Sequence, residues 1–228
     1  MKVSATISIK CSYIFAKIIK LDITRLTYIL TYMIIEDIKS YDGNLIHNRF
    51  AYKYFGKKTL PIGNIIAFRA PMLVEAEGMI DNEDLINNDY IYSDDAINFC
   101  WEIPNLCPLG AVAFQRLLNT QIANILSTNY LKKPIEVDGD DLIVHAEHNQ
   151  HNIIQQKGKC SVSITYTKNN VAIGHTGINI EAGKKAPAFA FSTKLGDEQA
   201  HDFMKNVIDV FYEISDDIFI ASTKITIA

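Results

Sequence analysis

Asp138-Gly-Asp-Asp-Leu-Ile-Val144 decides the fold when it is read with the two segments downstream of it, Lys159-Cys-Ser-Val-Ser-Ile-Thr165 and Ile173-Gly-His-Thr-Gly-Ile-Asn-Ile180. In order these give an acidic turn, a strand, a polar loop, a lysine, a strand, a tight turn and a strand. Strands are expected over Asp141–His145, Cys160–Thr167 and Val171–Glu181. Asn169-Asn170 joins the last two as a hairpin turn, because asparagine tolerates positive φ.

Working outward, Leu109–Tyr130 reads as a helix with Val112, Leu117, Ile122, Ile125 and Leu126 toward the core. Pro108 stands just before it, where a missing amide donor does no harm. Upstream, Ala96–Ile103 reads as a strand of aromatic and β-branched residues that Pro104 ends. Gly63–Arg69 is a short buried strand, and Met79–Asn88 an acidic loop or short helix. Met33–Ile38 and Leu45–Tyr54 flank Tyr41-Asp42-Gly43-Asn44, an expected hairpin. Downstream, Gly196–Asp216 is a helix with Phe203, Val207, Val210, Phe211 and Ile214 on one face and Asp197 and Glu198 at its positive end. Phe219–Ile227 is expected to add a last strand. Helices and strands mix without βαβ alternation, so the class is α+β with a mixed, mostly antiparallel sheet flanked by helices.

At 228 residues, 48% hydrophobic and 21% charged, the chain suits one large globular domain or one with an appendage. A net charge of −4 argues against bulk nucleic-acid binding, which needs a basic surface. Cys11, Cys100, Cys107 and Cys160 form no C-x-x-C pair; Cys100 and Cys160 lie in apolar strand patterns and are expected to be buried free thiols, and a cytoplasmic location is expected. Lys10, Lys17, Lys20, Asp22 and Arg25 interrupt the apolar N-terminal stretch well short of the ~20 residues of a membrane span. Residues 1–32 are therefore expected to be a non-native extension, and 33–228 a single domain starting at Met33. No P-loop, Rossmann or G-x-S-x-G pattern occurs.

Several segments carry a family resemblance. They include Tyr41-Asp42-Gly43, Phe68-Arg69, Met79-Ile80-Asp81, Glu83-Asp84, Gln115-Arg116-Leu117, Gly139-Asp140-Asp141-Leu142, Ser161-Val162-Ser163-Ile164 and His175-Thr-Gly-Ile-Asn179. Through them the chain is similar to the family called domain of unknown function 366. Its core resembles that of biotin and lipoate protein ligases, a fold shared with class II aminoacyl-tRNA synthetases. The resemblance implies a ligase-like domain and a small-molecule enzyme of acyl or related group transfer. A non-catalytic ligand-binding protein and a tRNA-modification accessory protein are the alternatives.

The resemblance also implies roles. Lys159 would sit beside an acyl-phosphate as a point charge; the plain alternative is a solvated lysine at a strand start, with Lys157 the alternative in register. Asp140 and Asp141 occupy an Asn-Asp position, where they would fix Lys159 or bind substrate, or serve only as turn residues. Val162 stands where the ligases have glycine. Arg69 would hold an anion through two parallel hydrogen bonds. His175 and Asn179 share one face of their strand and are candidates to line a cavity, His175 with a catalytic role. Glu102 is a candidate general base if burial raises its pKa. The ligases' glycine- and arginine-rich segment is missing, and Asp94 and Asp95 stand in its region. These are expected to favour a cationic or amine ligand, or a heterocycle, over phosphate, which makes ATP with magnesium a doubtful cofactor. His145, Glu147, His148 and His151 have zinc-like spacing, but a polar excursion is expected and no metal is assigned. A small-molecule substrate is the expected partner, without membrane or bulk nucleic acid; a homodimer is allowed.

Overall fold

The computed structural model describes residues 33–145 and 157–224. The chain divides into two units, residues 1–33 and 34–228. The expected extension over residues 1–32 lies outside the described residues.

The elements of the second unit are, in order, β1 (Ile34–Ile35), α1 (Asn44–His47), α2 (Phe50–Tyr54), β2 (Asn64–Val74), α3 (Asn82–Asn87), β3 (Ile91–Pro104), α4 (Pro108–Ile125), β4 (Ile135–Asp138), β5 (Asp141–His145), β6 (Lys157–Lys159), β7 (Ser161–Lys168), β8 (Val171–Glu181) and α5 (Asp197–Thr223). A five-stranded sheet runs β1-β2-β3-β8-β7, and a three-stranded sheet runs β4-β5-β6. Only β1 pairs in parallel, so the large sheet is mixed but mostly antiparallel, as the sequence implies. Among the described residues no helix is long and apolar enough to cross a membrane.

Period-two alternation gives the large sheet two buried faces. Phe99 and Trp101 on one face meet α4 and α5 through Phe114, Phe203 and Phe211; Phe99 lies edge-on to Phe203 at 5.9 Å. The other face carries Ile66, Phe68, Met72, Cys100 and Ile173, which cluster with Tyr41, Ile46 and Ala51.

The structure corrects several expectations. The Tyr41–Asn44 hairpin is absent: Asp42 Oδ1 accepts from the Asn44 amide at 3.0 Å, and two short helices follow. The chain breaks between them at Arg49, which holds φ 54°, and Ile46 of the first helix and Ala51 of the second are buried in the core. β2 runs beyond Arg69 to Val74, with Pro71 at a shift of register where its missing N–H breaks no ladder. The buried face of α4 is Ala111, Phe114, Gln115, Leu118, Asn119 and Ile122, and Val112 and Leu117 turn outward. The helix passes into a π-helical turn over Leu126–Leu131. The expected last strand is not formed, since α5 continues to Thr223 and residues 225–227 lie outside the described residues. Strand β4 was hidden by its short length.

A close approach fixes the helix-facing side. A Cβ on Gly174 would lie 2.2 Å from Trp101 Cζ2, so only glycine admits the indole over β8. Gly174→Ala should lower stability by about 1–3 kcal/mol, the usual effect of overpacking. The urea midpoint should fall with its slope unchanged; an unmoved midpoint would show that the indole yields freely.

Candidate functional site

The site is built at a junction of strands. Lys159 ends β6 in the small sheet, and Ser161 begins β7 in the large one. Each backbone group of the pair Lys159-Cys160 is held. The Lys159 amide donates to Phe189 O at 2.8 Å, and the Phe191 amide donates to Lys159 O at 2.8 Å. The Cys160 amide donates to Leu142 O on β5 at 2.9 Å, and Cys160 O accepts from the Asn179 amide on β8 at 2.9 Å. Four segments thus converge where the lysine side chain leaves the backbone.

Lys159 pairs with Ile143 across β5 and β6, which puts Asp141, two residues back on β5, on the same face. Its Nζ lies 2.7 Å from Asp141 Oδ1, with both side chains about one-third exposed. Next to Asp141, the Asp140 carbonyl accepts from Asn119 Nδ2 at 3.1 Å, and its carboxylate lies 3.4 Å from Arg116 Nη2. A buried polar chain continues inward. Asn119 Oδ1 accepts from Thr176 Oγ1 at 3.1 Å, Thr176 meets Ser163 Oγ at 3.0 Å, and Ser163 accepts from Gln115 Nε2 at 2.9 Å. These bonds explain why α4 buries Gln115 and Asn119: they tie the acidic turn to the sheet.

The segments enclose a cavity of about 430 Å³. Asp140, Asp141, Lys159, His175 and Asn179 all line it. Its wall also carries Tyr41, Tyr90, Tyr92, Ile91, Val162 and Ile164, and four further carboxylates, Asp81, Glu83, Asp84 and Asp89. Burial, then the Asp81 charge, raises the Asp84 pKa, while Lys159 pulls it down. One edge of the cavity is backbone against backbone: a Cβ on Gly43 would stand 2.2 Å from Gly78 O. Gly43 also holds φ +82°, a left-handed conformation that side chains disfavour.

His175 lies flat on Tyr41, with ring centroids 3.7 Å apart and 8° between planes. Its Nε2 is 2.9 Å from Asn98 Oδ1. Burial lowers its pKa to about 3, so the ring is neutral at pH 7.

The other sequence candidates lie elsewhere. Arg69 forks onto Asp95, with Nε 3.0 Å from each carboxylate oxygen, and reaches Asp197 at 2.6 Å. It therefore fastens β2 and β3 to the start of α5, and neither Arg69 nor Asp95 lines the cavity. Asp94 accepts from the Tyr92 hydroxyl at 2.5 Å, one residue removed from the cavity wall. Glu102 is buried, but it holds Arg49, with Nε at 3.1 Å, and the Tyr52 amide at 3.0 Å. That fixes α2 on β3 and leaves Glu102 outside the cavity. Lys157 pairs with Glu136 at 3.0 Å, as does His145 at 2.8 Å. Glu147, His148 and His151 lie outside the described residues; among those described, no three ligating side chains are placed to hold a metal ion.

Sequence reading missed the carboxylates around α3, Tyr41, and the Asn98 partner of His175. The density of acids in Asp81–Asp89 was the available signal.

The architecture defines an α+β domain with a polar-floored cavity beside its large sheet. The family model described as Domain of unknown function (DUF366) matches residues 30–226, and the chain belongs to that family. No curated protein matches it. A protein of unknown function from Pyrococcus horikoshi is similar in structure, with TM-score 0.70 and 24% identity, covering 86% of this chain and 97% of that one. A putative lipoate protein ligase from T. acidophilum with bound lipoic acid aligns at TM-score 0.48 and 9% identity, over 79% of this chain and 85% of its own. Biotin protein ligase from Aquifex aeolicus in complex with biotin and ATP aligns at 0.44 and 10%, over 79% and 70%.

The neutral His175 has a consequence for stability. Its folded pKa of about 3 lies below the ordinary value of 6.5, so the unfolded chain binds the extra proton between them. The contribution is full above pH 6.5 and is lost as pH falls toward 3. His175→Gln should therefore flatten the decline of unfolding free energy between pH 6.5 and 4 relative to wild type. Parallel profiles would mean that His175 is solvated or charged in the native state.

Proposed function

We propose that this domain is a small-molecule enzyme that transfers an acyl or related group within the cavity around Lys159. The observation that carries the reading is the Lys159–Asp141 pair, 2.7 Å long, on a cavity wall shared with His175 and Asn179. An ammonium fixed in this way is oriented before any substrate arrives. As a nucleophile adds to an acyl carbon, negative charge grows on its oxygen, and a preorganised cation stabilises that charge more than the ground state. Asp141 holds the lysine rotamer. His175, neutral and with a pKa near 3, is too weak a base for proton transfer at pH 7, so its role is binding.

The six carboxylates of the wall oppose a bare triphosphate. Arg69 is engaged by Asp95 and Asp197, and among the described residues no arginine lines the cavity. That second observation favours the other reading, ligand binding without turnover, and supports the expectation that unassisted ATP binds poorly.

Mass spectrometry of small molecules that co-purify with the native protein identifies the substrate or product. With that molecule in hand, Lys159→Met should retain the fold and lower conversion by about 10²-fold or more, the usual effect of removing one electrostatic stabiliser. Conversion at the wild-type rate would contradict the role of Lys159. A wild type that binds the molecule but never converts it would favour the binding reading.

A further inference from the structure

We propose that the occupant of this cavity is a small protonated amine on an apolar stem, its N–H donors met by Asn179 and its charge by the surrounding carboxylates. The inference rests on reading the cavity as the substrate site, and it adds the chemical class.

Asn179 is the first observation. It is 5% exposed and lines the cavity, yet its Oδ1 has no hydrogen-bond partner among the described residues. Its backbone is fully used: the amide donates to Cys160 O, and the carbonyl accepts from the Thr193 amide and hydroxyl. A buried carbonyl oxygen without a donor is unfavourable by about 1–3 kcal/mol. Oδ1 is closed off in this orientation of the amide; a half-turn that exchanges Oδ1 with Nδ2 brings it to the cavity, where an N–H from the occupant removes that penalty.

His175 points the same way. Asn98 Nδ2 faces two backbone carbonyls, Ala70 O and Ala96 O, each at 3.3 Å. Its Oδ1 is therefore the end that meets His175, so Nε2 of the neutral ring carries the proton and donates. Nδ1 is left as a lone pair with no partner among the described residues. The neighbouring side chains offer nothing to change this assignment: Tyr41 stacks on the ring face, and a Cβ on Gly177 would touch the ring at Cε1. The cavity wall thus holds two acceptors that lack donors, His175 Nδ1 and, once its amide turns, Asn179 Oδ1.

Charge supplies the third observation. Lys159 is matched by Asp141 and Asp140 by Arg116, so Asp81, Glu83, Asp84 and Asp89 set the local field. Such a field concentrates cations and repels carboxylates and phosphates. No three of the described side chains are placed to hold a metal, so the cation that fits is organic. Ile91, Val162 and Ile164 on the wall suit a short hydrocarbon stem.

Isothermal titration calorimetry on the full chain tests this with 1,5-diaminopentane and two probes of similar length, 1,5-pentanediol and glutarate. The diamine should bind at least tenfold more tightly than either. Asn179→Leu, which keeps the shape, should weaken the diamine about tenfold. Asp84→Asn, at a partly exposed position that spares the fold, should weaken it several-fold. Glutarate as the preferred probe, no binding of the diamine at millimolar concentration, or diamine affinity unchanged in Asp84→Asn would each overturn the inference. The two readings fail separately. Glutarate preference together with conversion lost in Lys159→Met keeps the enzyme and removes the amine. Diamine binding with conversion untouched by Lys159→Met does the reverse.

Discussion

Everything at the site depends on the passage of one strand from the small sheet into the large one at Lys159-Cys160. Two strands at an angle cannot share a ladder, so the backbone groups at their junction would be left unpaired. Here they are met by Leu142, Asn179, Phe189 and Phe191, which belong to three other segments. The junction is held because its four bonds come from three separate segments. Lys159 therefore projects from a fixed point, and Asp141 fixes its far end. If the junction moved, the acidic turn, the lysine and the end of β8 would no longer face one space.

A second constraint is the polar seam beneath α4. Gln115, Asn119, Ser163 and Thr176 are all buried, and each has partners. A satisfied buried network specifies one arrangement, because any slip strands several polar groups at once. Through Asn119 this seam reaches the Asp140 carbonyl, so the helix sets the height of the acidic turn over the sheet. On the opposite face of the sheet, Tyr41 stacks on His175, Asn98 bonds it, and burial keeps it uncharged. The cavity is thus bounded by groups whose geometry is fixed on both faces of one sheet, with an acidic and more exposed rim around α3.

Much of this was legible in the sequence. The strands after Asp141 have the expected order, the Asn169-Asn170 turn takes positive φ at both residues, and His175 and Asn179 share a face because the strand period is two. The family resemblance located Asp140, Asp141 and Lys159 together. What was hidden has physical causes. Apolar periodicity placed Ile122, Ile125 and Leu126 in the core correctly but misjudged the first turns of α4, where Gln115 and Asn119 are buried for hydrogen bonding and Val112 and Leu117 face outward. Asp42-Gly43 reads as a hairpin, but the Asp42 side chain accepts from the Asn44 amide where a short helix begins, and the glycine is needed for contact with Gly78. Arg69 and Glu102 look available in one dimension; their partners, Asp197 and Arg49, are distant in sequence and adjacent only in the fold. The acids of Asp81–Asp89 gave a composition signal without a direction, since nothing local says which way a short helix faces.

The central claim is that the fixed lysine, the buried histidine and the unpartnered asparagine face one bound molecule. A crystal structure of the native protein with its co-purified ligand tests this directly. The account predicts ligand density in the cavity, within hydrogen-bonding distance of Asn179 and beside Lys159, with His175 still bonded to Asn98. Density at another surface, or a Lys159 side chain turned away from Asp141 into solvent with the cavity empty, would contradict it.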